Sequence, residues 1–545
     1  MQDVSDNWKK SHERTILNET FVEVSLDIGD PDALAAASTE DNGAIYISDS
    51  SKLTSGGYET PKSYCSLEQN LWCLDGSMKA IPDSDFGETG YVSDVMSDDT
   101  CIFSTKQPII TISFKQVFSK LLPGVTIIWS ETYGEYPDAF TIRAYKDSTL
   151  IAEKDVVGNR SVKSMVLVDI VEYNKIEIIV KKWCLPHHRA RVEEVFVGLR
   201  NVYGKTDLFD YSHSQSVDPI STSLPKAEIK FTISNTDGEY NPLNENGLVK
   251  YLKERQTVRA KYGMRMDDGS IKWIKGGTFY LSEWYAKQNG ITADFTARDM
   301  LEFMFDIYED TEYYEYVKNN IAVGDTITYS RNLYELAKDL FEKAGISVSR
   351  YVIDKSIENF TTTAPLPQDT IAACLQLIAN AARCVLYQDR DGVLRIEPMS
   401  TDVSDYTINS FNSYAKPEIT LSKPLYGVYS LCYTYKKGSN GVESESQGGG
   451  FVPSTNDRTG ETITIDNPLI TDASHAEENR KWLANHYLKR MEVDTSWRPD
   501  VRLDALDCVS IENDYDTNEV LMTDIEFKYN GAFRGTGKGR VMKDV

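Results

Sequence analysis

The sequence has no long apolar run and few of the residues that usually build metal sites. No stretch approaches the ~20 apolar residues of a membrane-spanning helix, and the first residues lack the apolar core of a signal peptide. The eight cysteines are scattered singly, without a C-x-x-C pair or a Cys/His pair at zinc spacing. We therefore expect no membrane span, and buried free thiols in a chain made in a reducing compartment.

The motifs of common enzymes are missing as well. H-E-x-x-H and G-x-S-x-G do not occur. A phosphate-binding loop would need glycine where Ala532 stands, and Ser or Thr after Lys538, where Gly539 stands. The acidic turn at 389–392 is not a complete calcium-binding loop. Asp and Glu number 83, too many to single out a glycosidase pair. We expect no enzyme activity, no cofactor and no metal.

Positive charge is in the minority. The chain carries 58 Lys and Arg against 83 Asp and Glu, a net charge of −25, and has no long basic stripe. Binding to a phosphate backbone needs clustered Lys and Arg, so we expect no sequence-specific nucleic-acid binding. A surface that repels DNA would still suit a conduit through which DNA slides.

Length and composition indicate several ordinary globular domains. A chain of 545 residues is too long for one core, and its length suggests about three or four domains. With 41% hydrophobic and 26% charged residues, global disorder is excluded. Tyrosine is abundant, with 32 residues against 19 Phe, which is typical of strand-rich chains.

The most informative stretch, residues 218–299, alternates apolar and polar residues in short runs joined by turns. Residues 229–233 have the pattern of a strand with one buried face, and 267–269 supply a tight hairpin. Strands at this spacing predict a small antiparallel barrel. The alternating run at 21–28 is inferred to belong to the same barrel. The alternative is an N-terminal arm that pairs with a neighbouring subunit.

Between residues 45 and 199 strands dominate, and almost no helix is predicted. The predicted strands lie at 109–114, 125–129, 140–145, 165–169, 175–180 and 192–197. Because this region interrupts the first barrel, we predict that it is inserted there with a core of its own.

Residues 301–415 switch to helical periodicity. Ser330 is predicted to cap one helix that ends at Gly345, and Asp369 to cap a second. A hairpin around 389–392 follows them. The acidic, tyrosine-rich segment 306–315 is predicted to be an exposed connector.

The last part returns to strands. A loop at 437–450, rich in Gly, Ser and Glu, is predicted to be mobile. Asp472 is predicted to cap a helix that reaches Met491, and three more strands close the chain.

The predicted fold class is mainly β with a smaller α/β part: two small antiparallel barrels, an inserted jelly roll and a helix-containing domain. The predicted domains are 1–44 (N-terminal arm and first strand of barrel 1), 45–199 (jelly roll), 200–300 (rest of barrel 1), 301–415 (small α/β domain) and 416–545 (second barrel with a helix).

Several linked motifs resemble phage tail proteins of the baseplate-hub (tail-associated) family. They lie at 218–220, 224–226, 235–242, 251–256, 276–281, 297–299, 467–470 and 498–507. The order of the strands in 45–199 is similar to that of a discoidin-like (galactose-binding-like) jelly roll.

The hub resemblance implies a structural protein that closes the distal end of the tail tube and anchors adhesion proteins. It implies a homotrimer, because two barrels per chain give six similar units around a six-fold tube. The implied partners are distal tail and tube proteins, the tape-measure protein, and tail fibre or receptor-binding proteins. The implied location is the virion tail tip, after assembly in the cytoplasm of the host bacterium.

A glycan-binding, receptor-recognising tail protein is the alternative function, since many discoidin-like modules bind sugars through loop aromatics. The candidate residues are Trp72, Tyr133, Trp183 and His187, followed by Tyr91, Trp129, Tyr136, His188 and Arg189. Each of them can equally be a core or rim residue. The ligand would be a bacterial surface glycan, and the competing role of the module is to dock neighbouring tail proteins.

A tail-associated cell-wall hydrolase is the second alternative. Relatives in the hub family sometimes carry such an enzyme as a C-terminal extension. We expect none here, because the second predicted barrel reaches Val545.

Overall fold

Strands outnumber helices in the computed structural model, which describes residues 1–12, 14, 18–54, 65, 90–245, 247–286, 290–451 and 460–543. The prediction of a mainly β protein with a smaller helical part is thereby confirmed. The helices are α1 (Asp6–His12), α2 (Pro31–Ala36), α3 (Thr311–Asn320), α4 (Leu333–Lys343), α5 (Ile371–Ala381) and α6 (Ala473–Tyr487).

The strands of the first half begin with the predicted run near the N-terminus. They are β1 (Thr20–Ile28), β2 (Ala37–Asp41), β3 (Tyr91–Met96), β4 (Ile109–Phe118), β5 (Leu122–Ile128), β6 (Pro137–Lys146), β7 (Thr149–Val157), β8 (Lys163–Ile170), β9 (Tyr173–Trp183), β10 (Arg189–Val192), β11 (Glu194–Phe196), β12 (Leu199–Tyr203), β13 (Leu208–Ser216), β14 (Lys226–Ser234), β15 (Thr257–Arg265), β16 (Ile271–Ala286) and β17 (Thr292–Arg298).

The strands of the second half are shorter until the C-terminal part. They are β18 (Arg331–Asn332), β19 (Tyr351–Ile353), β20 (Thr361–Thr362), β21 (Val385–Gln388), β22 (Leu394–Glu397), β23 (Val403–Ile408), β24 (Glu418–Leu421), β25 (Leu425–Lys437), β26 (Val442–Phe451), β27 (Glu461–Thr464), β28 (Met491–Trp497), β29 (Cys508–Glu512), β30 (Thr517–Tyr529) and β31 (Phe533–Val541).

The chain folds as two compact units. The first unit consists of Met1–Val24, Tyr203–Val249 and Val258–Val545, and the second of Ser25–Val202 and Lys250–Thr257. The chain leaves the first unit within β1 and returns to it within β12. The second unit therefore includes the whole of 45–199, together with flanking residues.

One main sheet holds the first unit together. Its strands run in the order β1-β15-β16-β17-β14-β13-β30-β31-β28-β24, and β29 and β23 branch from β30. The inference that 21–28 belongs with the strands of 218–299 is confirmed, since β1 lies beside β15. The strands of the two predicted barrels share this sheet, which does not close into a barrel in the described residues.

β13 is where the two sets of strands meet. On one side Tyr211 is paired with Phe231 of β14, and on the other side with Tyr529 of β30. Both pairings are antiparallel. The buried hydroxyls of Tyr211 and Tyr262 lie 2.9 Å apart, and Nδ1 of the buried His213 lies 2.8 Å from the Tyr262 hydroxyl. Burial lowers the pKa of His213 to about 3, so this core histidine is neutral at pH 7.

A buried arginine ties the hairpin at 389–392 to the main sheet. Nε of Arg390 donates to both carboxylate oxygens of Asp504 at 2.8 and 2.9 Å. Its Nη1 donates to the carbonyl of Lys275 at 2.7 Å, and its Nη2 to the carbonyls of Val501 and Leu503 at 2.9 and 2.8 Å. A guanidinium offers five donors in a rigid fork, so three separate segments are held by one side chain.

The helical part packs α4 and α5 against a small sheet in the order β19-β22-β21. The prediction that Ser330 caps the first helix is wrong. Asn332 is the cap, because its side chain accepts from the Tyr334 amide at 2.8 Å. The second helix begins one residue later than predicted, with Thr370 as the cap in place of Asp369. Gly345 ends α4 with φ +73°, as predicted.

The segment 306–315 is not simply a connector, because α3 begins at Thr311. Tyr313 is buried in the core of the helical part, and its hydroxyl donates to the Thr363 carbonyl at 2.6 Å. Asp310, just before the helix, forms a buried ion pair with Arg331. Acidic composition concealed these two anchoring contacts.

The predicted mobile loop at 437–450 is wrong in most of its length, since β26 pairs with β25 from Val442 to Phe451. The glycines in this strand accommodate neighbouring side chains. A Cβ at Gly450 would lie 2.4 Å from the Tyr429 ring, and one at Gly449 would lie 2.7 Å from Nη1 of Arg480.

α6 is capped by Asp472, as predicted, through a 2.9 Å bond from the His475 amide. The helix ends at Tyr487, so Met491 belongs to β28 and not to the helix.

The second unit is built from three sheets that share one core. Their orders are β2-β4-β9-β6-β7, β11-β5-β8 and β10-β3. Alternating residues of β4, β6 and β9 face Val125 and Ile127 of β5 in that core. The six predicted strands of this region are present, the last of them divided into β10 and β11. Whether this unit is a discoidin-like jelly roll stays a prediction.

A buried carboxylate, Asp299, connects β14 to the segment after β17. Its Oδ2 accepts from the Ala227 amide at 2.6 Å, and its Oδ1 from the Glu302 amide at 3.3 Å. Desolvation outweighs these bonds and raises the pKa of Asp299 to about 6. The group therefore titrates well above the ordinary range of an aspartate.

We expect Arg390→Ala to lower the free energy of unfolding of the first unit by about 3 kcal/mol, because it leaves Asp504 and three carbonyls buried without their hydrogen-bond donor. Arg390→Lys is expected to rescue little, since an ammonium cannot reproduce the fork. Urea denaturation and amide exchange in the segment 499–507 measure the effect. The control is the exposed Arg534→Ala, which is expected to change the free energy of unfolding by less than about 0.5 kcal/mol. Equal losses in both variants would contradict the anchoring role.

We expect the charge of Asp299 to make stability fall as pH rises. The folded pKa, about 6, lies above the ordinary value of 3.8, so the folded state binds more protons between these values. Its free energy of unfolding should drop by about 1 kcal/mol between pH 5 and pH 7, relative to Asp299→Asn. Denaturation curves of both proteins at the two pH values measure this. A constant difference between the two proteins would show that Asp299 does not titrate there.

Candidate functional site

The predicted sugar-binding residues belong to the second unit, and the structure separates them. Trp72 lies outside the described residues. Trp183, at the end of β9, is completely buried. Its ring packs at a 6.4 Å centroid distance from Trp129, which is also buried. Neither ring face is open, so the prediction that Trp183 stands in an accessible loop is wrong.

A buried carboxylate explains the position of Trp183. Nε1 of Trp183 donates to Oε2 of Glu135 at 2.8 Å, and Nδ1 of His188 lies 2.9 Å from Oε1. Glu135 itself is buried. It therefore joins the turn after β5 to the end of β9 and the segment that follows. Glu135 was not among the predicted residues, and only its place beside Tyr136 in an aromatic turn could have drawn attention to it.

Tyr133 lies in the tight turn between Ser130 and Glu135, whose backbones form an isolated β-bridge. The side chain is half-buried, and the Arg191 guanidinium lies 5.0 Å from the ring centroid. Gly134 beside it adopts φ +68°, the left-handed conformation that such a turn requires. One tyrosine of the predicted set is thus held near the surface beside a cation.

His187 is the other predicted residue at the surface. Its backbone has φ +59°, and its amide donates to the Ser97 carbonyl at 3.1 Å. The ring Nε2 lies 2.8 Å from an oxygen of the exposed Asp99. Arg189 is occupied as well, donating to the carbonyls of Ser93 and Asp94 at 2.9 and 2.7 Å. The neighbours of His187 and Arg189 are therefore a carboxylate and backbone carbonyls.

The remaining aromatic candidates contribute to the core. Tyr91 is fully buried, and burial raises the pKa of its hydroxyl. Tyr136 is half-buried, and its carbonyl accepts from the Cys184 amide at 3.0 Å. Of the three main candidates that the structure describes, Tyr133 and His187 are accessible and Trp183 is not.

A cavity of about 650 Å³ in the first unit lies on the polar face of the main sheet. Serines of β13 form its base, and the charged side chains of Glu228, Arg298, Asp524 and Lys538 stand around it. Arg298 already pairs with Glu228 at 3.0 Å, and Lys538 approaches Asp494 at 3.6 Å. The cavity offers a polar surface of mixed charge rather than a set of convergent ligands.

Two motifs that resembled ligand loops have structural roles. Gly537, Lys538 and Gly539 lie within β31, where a Cβ at Gly537 would be 2.6 Å from Met522 Cε. In the turn at 389–392, Asp389 accepts from Arg395 Nε at 2.7 Å and Asp391 pairs with Lys275 at 2.6 Å. Within the described residues, no three His, Cys, Asp or Glu side chains group to hold a metal ion.

No helix in the described part of the chain is both long enough and apolar enough to cross a membrane. Seven cysteines lie in that part, and all seven are free. Three of them, Cys374, Cys384 and Cys508, are buried, and burial raises the pKa of each thiol. The prediction of buried free thiols is confirmed for these three; the other four described cysteines are free but only partly buried.

No family model matches the sequence, and a search of curated proteins finds no match. Among solved structures, the chain is similar to the 43 kDa tail protein of prophage MuSo2 from Shewanella oneidensis, with 14% identity and a TM-score of 0.41 over 62% of this chain and 95% of that chain. It is similar to a tail protein from Neisseria meningitidis MC58, with 11% identity and a TM-score of 0.41 over 62% and 93%. A third structure is the E. coli c3393 protein, a component of the type VI secretion system, with 8% identity and a TM-score of 0.33 over 61% and 73%.

Proposed function

We propose that this protein is a structural component of the tail tip or baseplate of a phage or phage-like particle. In this role it forms the hub that closes the distal end of the tail tube and anchors adhesion proteins. The role is non-enzymatic. The protein would be assembled in the cytoplasm of the host bacterium and would remain at the tip of the virion tail.

The meeting of two sets of strands in one sheet supports this role most directly. β13 pairs with β14 on one side and with β30 on the other. The motifs that resemble the hub family lie in both sets, and Arg390 links the neighbourhoods of two of them. Arg390 fixes the segment 501–504, part of the motif at 498–507, to Lys275, just before the motif at 276–281. Each chain therefore holds two groups of strands in a fixed arrangement within one sheet.

A chain with two linked groups of strands suits a protein that connects a three-fold assembly to a six-fold tube. Three copies around an axis would present six groups, which is the number that a six-fold tube offers. We therefore include a homotrimer in the proposal, with distal tail and tube proteins, the tape-measure protein and tail fibre or receptor-binding proteins as neighbours. The main sheets supply the contacts between the three copies.

The second candidate function is recognition of a bacterial surface glycan by the second unit. The observation that favours it is the placement of Tyr133 in an exposed turn, with Arg191 at 5.0 Å from its ring. A sugar ring stacked on one aromatic side chain gains ~1 kcal/mol beyond area burial. The competing role of the second unit is to dock neighbouring tail proteins.

We expect the purified protein to form a closed ring of three copies with a central pore. Negative-stain imaging shows the pore, and mass photometry gives the number of copies. The measurement is made on the protein alone and with the neighbouring tail proteins. A strictly monomeric mass under both conditions, at high concentration, would contradict the hub.

We expect weak glycan binding that depends on avidity. One site of this kind binds at about millimolar strength, near −4 kcal/mol, and several sites on one assembly raise apparent affinity by about 10². A glycan array is probed with the full chain multimerised on streptavidin. Tyr133→Ala should remove the signal, whereas the exposed Tyr46→Ala should not. An absence of signal, or a signal that both variants keep, leaves docking as the role of this unit.

A further inference from the structure

The main sheet of the first unit ends at β24, a short strand that is paired on one side. β28 is its neighbour in the sheet. No other strand or isolated bridge in the described residues pairs with β24. All four of its side chains, from Glu418 to Leu421, are exposed. The row of backbone donors and acceptors at such an edge is a template for pairing with another extended chain.

The direction of these backbone groups follows from one hydrogen bond at the end of the strand. The amide of Ser422 donates to the carbonyl of Arg490 at 3.0 Å, in the register that continues the pairing of β24 with β28. In an antiparallel strand, the backbone groups of alternate residues point to the same side. The amides and carbonyls of Ile419 and Leu421 therefore point away from β28, toward the position of a further strand.

Two prolines set the length of this edge. Pro417 stands just before β24 and Pro424 stands three residues after it. Proline has no amide hydrogen to donate, so an added strand is held between these two positions. β24 itself contains neither Lys nor Pro, the residues with which proteins commonly protect an edge. The edge is therefore short, and its own side chains do not protect it.

The two faces of β24 differ in polarity. Ile419 and Leu421 share one face by alternation, and their side chains are 40% and 56% exposed. Glu418 and Thr420 share the other face, where they line a cavity of about 550 Å³. An added strand would therefore place apolar residues on the first face and polar residues on the second.

The charge beside this edge specifies one residue of the added strand. Glu418 lies directly opposite Asp494 of β28, and Lys538 of β31 approaches Asp494 at 3.6 Å. Like charges directly opposite one another on neighbouring strands are unfavourable. The carboxylate of Glu418 has no ion pair or hydrogen bond within the described part of the chain. A lysine opposite Glu418 on an added strand would supply the opposite charge.

The cavity on the same face also favours a cation. Five carboxylates line it against two cations, Lys538 and Arg540. His486, which lines it as well, adds no positive charge at neutral pH, because burial lowers its pKa to about 4. A lysine side chain that extends over Glu418 would place its ammonium at the mouth of a cavity of net negative charge.

We propose that β24 accepts an extended segment of a partner protein as an added antiparallel strand, with a lysine opposite Glu418 and apolar side chains opposite Ile419 and Leu421. The backbone hydrogen bonds supply affinity, and the lysine and the apolar positions supply specificity. We assign the antiparallel direction because such pairs are slightly more stable per residue than parallel ones. The proposal does not rest on the hub role, since it needs neither a ring nor a tail protein.

The test tethers a heptapeptide to this edge through a disulfide. The probe is Thr-Ser-Val-Cys-Val-Lys-Thr, whose cysteine lies opposite position 420 when its lysine lies opposite Glu418. At this pair the Cα atoms of the two strands lie about 4.5 Å apart, within the range of a disulfide. The full chain with Thr420→Cys is equilibrated in 2-mercaptoethanol with the peptide, supplied as its disulfide with 2-mercaptoethanol. Mass spectrometry measures the adduct and locates it on the chain.

We expect half-release of the peptide from Thr420→Cys to need at least about tenfold more 2-mercaptoethanol than from Tyr515→Cys, whose site is 99% exposed. The same peptide with proline in place of its second valine should be released about tenfold more easily. It lacks the amide that pairs with the carbonyl of Ile419. Because the two peptides meet the same folded protein, a loss of folding cannot produce this difference. Equal release from the two sites, or of the two peptides, would overturn the proposal.

Reversal of one charge separates strand addition in this register from a general attraction. On Thr420→Cys, a peptide with glutamate in place of lysine should be released about fivefold more easily, since it meets Glu418. Adding Glu418→Lys should invert this preference. The matched control is Glu443→Lys, an equal change at an exposed position of β26, which should leave the preference unchanged. A preference that survives Glu418→Lys, or that Glu443→Lys also inverts, would overturn the proposal.

The other occupant to be tested is β24 of a second copy of this chain. Self-pairing would join Thr420→Cys chains to one another through the disulfide without peptide, and the peptide would not compete. That result would overturn the proposal. We expect instead the peptide adduct, and no more disulfide-linked chains than Tyr515→Cys forms at the same concentration.

Discussion

The first unit depends on the burial of one positive charge. Arg390 reaches the interior only because Asp504 and three carbonyls satisfy its donors. Asp504 lies 114 residues further along the chain, and Lys275 lies 115 residues before Arg390. A buried guanidinium that loses its partners is costly, so these distant segments must form together. The hairpin, the main sheet and the C-terminal segment are in this way one cooperative structure.

The same logic recurs at two other buried carboxylates of the first unit. Asp310 is paired with Arg331, and Asp500 with the neighbouring Arg502. All four side chains are largely buried. Asp299 is the exception, because amides alone satisfy it and its pKa rises to about 6. A paired carboxylate has a cation to compensate its burial, whereas Asp299 is held at the expense of its ionised form.

The sequence predicted strands that have one buried face, and it did not predict strands that lack one. β1, β4, β6 and β9 were predicted from alternation, which marks a buried face. β7 was missed, because most of its side chains are exposed and no alternation marks it. β26 was missed for a different reason: its glycines resemble a loop, yet they accommodate Tyr429 and Arg480 from neighbouring elements. The joining of two barrels into one sheet depends on the pairing of β13 with β30, a contact between distant segments that no local pattern records.

The candidate sites show that sequence-based prediction has the same limit for charged residues, because their distant partners leave no local pattern. Trp183 was a candidate because discoidin-like modules bind sugars through loop aromatics, but a carboxylate 48 residues earlier, Glu135, holds its ring inside. Carboxylates of the first unit divide in a similar way. Asp310 and Asp504 are bound by guanidinium groups, whereas those along α4 have no such partner in the described residues. A net charge of −25 does not distinguish these two classes. Only the partner that each carboxylate meets in the folded chain distinguishes them.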